Sequence, residues 1–86
     1  MSKKEKLIEK LLRKPTPKNF KKSELDALMS KCNCTKTSGG RGSSIAYYSN
    51  TTKRIVQFDE PHPGNELYSY QIKMVIEFLK AIGEIE

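Results

Sequence analysis

The chain is predicted to fold as a two-layer α+β domain, on three observations. Apolar residues recur at helical spacing, then alternate with period two on either side of a polar turn, then recur at helical spacing again. Clusters of proline and glycine fall between these stretches rather than inside them. The 86 residues suffice for one domain around one core. The predicted order is helix, helix, three strands, helix, and setting the first helix aside leaves α-β-β-β-α.

Each element has its own signal. Ser2 and Glu5 have capping-box spacing, and Leu7, Ile8, Leu11 and Leu12 then share one face, predicting a helix over Lys3–Arg13. Pro15 and Pro17 end it, so residues 1–17 read as a helix and linker ahead of a main unit over 18–86. The leucine stripe is predicted to pack on the body or a partner rather than on a membrane surface. Phe20 is the one apolar residue of Lys14–Lys22 and is expected to anchor that linker. A second helix is expected from an N-cap at Ser23, with Leu25, Leu28, Met29 and Cys32 as its stripe. Asn33 is placed to adopt the left-handed conformation that ends it.

Strands are then predicted at Cys34–Thr37, Ser43–Ser49 and Lys53–Asp59, the last two joined by a hairpin at Asn50-Thr51-Thr52. Ser44, Ala46 and Tyr48 share one face of the middle strand, and Ile45 and Tyr47 the other. Both faces of the third strand are partly apolar, so alternation alone leaves open which one meets the helices. Glu60–Asn65 reads as an extended exit loop. The last helix is predicted over Ser69–Ile82, with Ile72, Val75, Ile76, Leu79 and Ile82 as its stripe and Gly83 as its stop.

Charge divides along the chain. Residues 1–54 carry 14 Lys and Arg against 4 Asp and Glu, a net of +10, whereas residues 55–86 carry 2 against 6, a net of −4. A basic half points to a polyanionic partner, or else simply to a lysine-rich solvated surface. No apolar run approaches the length of a membrane span, and the lysine-rich start precedes no hydrophobic segment, so the expected location is cytoplasmic. Two cysteines in a C-x-C arrangement and one distant histidine are too few for a closed zinc site. A Cys32–Cys34 disulfide would close a strained ring, so both are read as small buried apolar residues. No cofactor and no metal are expected.

The stretch Gly39–Leu67 gathers the residues with chemical potential. Ser38–Gly42 lacks the Lys-Ser/Thr and the helix of a nucleotide-binding phosphate loop, although its glycines permit close backbone approach. Lys36, Arg41, Gly42, Ser43, Lys53 and Arg54 make the candidate phosphate surface, and Tyr48 is the candidate base-stacking ring beside Ser44. Tyr47 and Tyr68 are assigned to core or rim packing. No paired carboxylates suggest metal-dependent cleavage, and no nucleophile with an attached base suggests acyl transfer.

Four blocks together resemble a known family: Ser23-Glu-Leu-Asp-Ala-Leu-Met29, Gly42-Ser43, Pro61-His-Pro-Gly-Asn-Glu-Leu67 and Tyr70-Gln71-Ile72. In these the chain is similar to the HicA toxins of bacterial toxin–antitoxin pairs, over about residues 20–84. The resemblance implies a double-stranded-RNA-binding-domain-like α-β-β-β-α fold. It also implies ribosome-independent, metal-free cleavage of single-stranded mRNA and neutralisation by a HicB-like antitoxin. The usual family members carry a catalytic histidine directly after Gly-Ser, where this chain has Ser44. A related branch has Pro-His-Pro-Gly in the exit loop and another residue after Gly-Ser, and this chain resembles that branch more closely.

Metal-free RNA cleavage needs a base for the 2′-hydroxyl proton and an acid for the leaving oxygen, and a group titrating near neutrality suits both. His62, the only histidine, is therefore the expected catalytic residue, the alternative being that it packs against or caps the last helix. Ser44 is expected either to bind phosphate or orient water, or to be an ordinary exposed strand serine. Three functions are carried forward: an RNA-cleaving toxin, a non-catalytic RNA- or antitoxin-binding module on the same fold, and an architectural partner-binding domain.

Overall fold

The computed structural model describes residues 3–38, 44–59 and 64–85. Three helices and a three-stranded antiparallel sheet form an α+β fold in the expected order: α1 (Lys3–Leu11), α2 (Lys22–Lys31), β1 (Cys34–Ser38), β2 (Ser44–Ser49), β3 (Ile55–Asp59) and α3 (Ser69–Ala81). The sheet order is β1-β2-β3, with β2 central. Its register pairs Lys36 with Tyr47, Tyr47 with Val56, and Ser44 with Asp59.

Burial decides the question that alternation left open. Ile45, Tyr47, Val56 and Phe58 are buried, whereas Ile55, Gln57 and Asp59 are exposed. The first set meets Leu25, Leu28 and Met29 of α2 and Ile72, Val75, Phe78 and Leu79 of α3 in one core cluster. Each such apolar side chain contributes on the order of 1.5–3 kcal/mol on full burial. Leu11 of α1 and Phe20 of the linker belong to the same cluster, so the first helix packs on the body. Lys10 reinforces that contact, with its Nζ 2.8 Å from Glu24 Oε2, 3.2 Å from the Asn19 carbonyl and 5.7 Å from the centre of the Phe20 ring. Burial opposes the charge on Glu24, but hydrogen bonds from Lys10 and from the Lys21 amide outweigh it and hold the carboxyl below its usual range. A second ion pair, Lys4 with Glu84, ties α1 to the chain after α3.

Several boundaries differ from expectation for local reasons. The α2 N-cap is Lys21, not Ser23. Lys21 is held extended by a bridge to Glu66, flanked by Lys22 N–H to Asn65 C=O and Leu67 N–H to Phe20 C=O, both 2.8 Å. The helix therefore begins earlier, and the Glu24 carboxylate takes the Lys21 N–H at 3.0 Å. The third strand begins at Ile55 because Lys53, at φ 64, is still inside the hairpin turn. At the end of α1 the Arg13 amide reaches the Lys10 carbonyl, a tighter spacing than α-helical, and the α-helix itself stops at Leu11. Asn33 (φ 60) and Gly83 (φ 85) take the left-handed conformation expected where α2 and α3 end.

Candidate functional site

The first four residues of the stretch from β3 to α3 lie outside the described residues, yet the two elements are joined by one side chain. Gln71 is fully buried in the first turn of α3. Its Nε2 donates to the Asp59 carbonyl at 2.7 Å, and its Oε1 accepts the Tyr68 N–H at 2.8 Å. One amide thus caps the helix start and holds the end of β3 against it, leaving neither of its own polar atoms unmatched.

That joint forms a depression of about 460 Å³ lined by Ser44, Gln57, Phe58, Asp59, Tyr70 and Met74. Ser44 begins β2 opposite Asp59, and its hydroxyl donates a long hydrogen bond of 3.5 Å to Asp59 Oδ1. Tyr70 stands on the α3 side, 53% exposed, and stacks on the 43% exposed Tyr68 with ring centres 6.0 Å apart and planes 26° apart. Tyr68 in turn borders a second depression, of about 570 Å³, with Pro15, Pro17, Lys18 and Gly64.

The residues singled out from the sequence separate into groups. Ser44 and Tyr48 lie half-buried on the sheet face turned away from the core, about 13 Å apart along the strand at ~3.3 Å per residue. Between them Ala46 is buried, paired across the strands with Thr37 and Gln57. Lys36 stands opposite Tyr47 on the helix side, and its Nζ is 3.4 Å from Asp26 Oδ2. The same carboxylate accepts the Tyr47 hydroxyl, which accounts for a fully buried tyrosine in the core. Lys53 is exposed in the hairpin turn. Arg54 is exposed at a separate groove with Ile55, Lys73, Met74 and Glu77. Arg41, Gly42, Ser43 and His62 lie outside the described residues.

Asp59, Gln71 and Tyr70 were not marked as site residues by sequence reasoning. The available signal for Asp59 was hairpin register, which puts it opposite Ser44. For Tyr70 it was a place between the core positions Ile72 and Leu67 that the apolar stripe does not use. Cys32 and Cys34 are free and buried, and burial pushes the Cys32 thiol up to about 11. Among the described residues no three His, Cys, Asp or Glu side chains come together as a metal site. Nor, among them, is any helix long and apolar enough to cross a membrane. Compared with known proteins, the chain matches no family model, no curated protein and no solved structure.

Proposed function

We propose that this protein is a HicA-like toxin, a cytoplasmic, ribosome-independent endoribonuclease that binds single-stranded mRNA, cleaves it without metal and is neutralised by a HicB-like antitoxin. On this reading the α-β-β-β-α part is a double-stranded-RNA-binding-domain-like fold. The observation that carries the reading is the position of Ser44. The residue that follows the family's Gly-Ser block lies on the sheet face turned away from the core, at a depression that also presents a carboxylate and an exposed tyrosine. The basic first half of the chain supplies attraction to a polyanion.

A serine hydroxyl is no base at neutral pH, so His62 is assigned proton transfer to and from the ribose oxygens. Arg41, Gly42 and Ser43, directly before Ser44 in sequence, are assigned to phosphate. A non-catalytic RNA- or antitoxin-binding module is the second reading. It is favoured by the serine at the family's histidine position, whose hydroxyl already donates to Asp59.

The test uses purified protein and single-stranded RNA with a chelator present. Cleavage by the wild type that is lost in a folded His62→Ala variant is the expected result. Binding without cleavage, with cleavage appearing in Ser44→His, selects the second reading. Absence of RNA binding at low salt removes the toxin reading and the RNA-binding form of the second, and leaves an antitoxin-binding module or an architectural partner-binding domain.

A further inference from the structure

We propose that the depression between β3 and α3 is a pocket for one unpaired nucleobase, with the Tyr70 ring as stacking wall and the Asp59 carboxylate as acceptor for N–H groups on the base edge. This rests on the RNA-binding reading and specifies which part of the strand is gripped there. The lining is mixed in a way that suits few ligands. Tyr70 and Met74 offer flat and apolar surface, whereas Ser44 and Asp59 offer hydrogen-bonding groups at one side. A phosphate is disfavoured beside Asp59 by like charge, and an acidic peptide for the same reason. A base meets both requirements at once, since its faces stack and its edge donates. Guanine fits best, because its adjacent N1–H and N2–H groups match the two oxygens of one carboxylate.

The wall is also built in advance. Tyr70 already stacks on Tyr68, and the neighbouring Gln71 locks the start of α3 to the Asp59 carbonyl. Stacking ring and acceptor are therefore held in one frame before any ligand arrives, which reduces the ordering that binding requires. Ser44 takes a different part from the one its sequence position suggests. Its hydroxyl lies 3.5 Å from Asp59 Oδ1, beside the carboxylate that is assigned to the base edge.

The chain has four tyrosines and no tryptophan, so quenching of its intrinsic fluorescence is a tyrosine signal, while affinity for every variant is read from the anisotropy of a fluorescein label on the oligonucleotide. The experiment titrates wild type, Tyr70→Ala, Tyr70→Phe and Asp59→Asn with short uridine-rich oligonucleotides carrying G, A, C or U at one central position. All are 2′-O-methylated, so that no hydroxyl is available for cleavage. The expected result is tightest binding and strongest quenching with G. Tyr70→Ala should bind about 5- to 150-fold more weakly, as loss of one base stack implies. Tyr70→Phe should restore binding, and Asp59→Asn should erase the preference for G without changing the salt dependence. If wild type binds but Tyr70→Ala binds equally well, the pocket is wrong and the RNA reading stands. If wild type binds none of the oligonucleotides at low salt, the RNA reading falls and the pocket with it.

Discussion

Cys32 and Cys34 share a spacing that metal sites and redox motifs also use, and here both side chains are free and buried. Cys32 closes the α2 stripe inside the core, and Cys34 Sγ lies 3.6 Å from the Cys32 carbonyl. Burial disfavours the thiolate of both, most strongly for Cys32. The pH consequence has a definite sign. Between the ordinary thiol value of 9.0 and about 11, the unfolded chain gives up the Cys32 proton while the folded chain keeps it. The folded state then binds more protons, so stability must fall as pH rises through that window. Urea midpoints measured from pH 8 to 11 should decline, and Cys32→Ala should flatten the decline. Alkylation of native protein by iodoacetamide at pH 8 should be slow for both thiols, becoming rapid only in denaturant. Rapid labelling of the folded chain would contradict the buried assignment.

Between elements, the β3–α3 joint is tied by Gln71 as well as by apolar packing. Replacing it with leucine keeps the volume but leaves the Asp59 carbonyl and the Tyr68 amide without their partner. Both hydrogen bonds are partly buried, so the expected loss is about 1–3 kcal/mol, read as a lowered urea midpoint with unchanged m-value. An unchanged midpoint would show that water replaces both bonds without penalty. The second joint, between residues 20–22 and 65–67, likewise rests on main-chain hydrogen bonds rather than side-chain pattern. It explains why α2 starts before its best sequence cap: the chain is already fixed in direction when it reaches Ser23.

For the molecule as a whole, part of the positive charge is engaged in ion pairs with neighbouring carboxylates. Lys36 counts toward the basic half, yet it faces Asp26 on the helix side of the sheet. Lys10 is similarly engaged with Glu24. Lys53 is exposed in the hairpin turn that follows β2, where Tyr48 lies on the face turned away from the core. If RNA binds across that face, Lys53→Ala should reduce the slope of log K against log salt by about 0.7, the value for one phosphate on a single strand. Lys36→Ala should leave the slope nearly unchanged. Equal slopes for the two variants would place the strand elsewhere on the surface.

Element order, helix stripes and the turn residues Asn33 and Gly83 were legible in the sequence, because each depends on neighbours within a few positions. The sequence by itself therefore determined the α+β class, most of the core and the uneven distribution of charge. It did not determine which face of β3 is buried, since Ile55 and Gln57 alternate with Val56 and Phe58 in a pattern that either packing satisfies. Only tertiary structure decided that, by setting α2 and α3 on one side. It also decided that α3 docks so that Tyr70 lines one depression with Ser44 and Asp59. That contact arises from the docking of a helix on a sheet, and no local spacing encodes it.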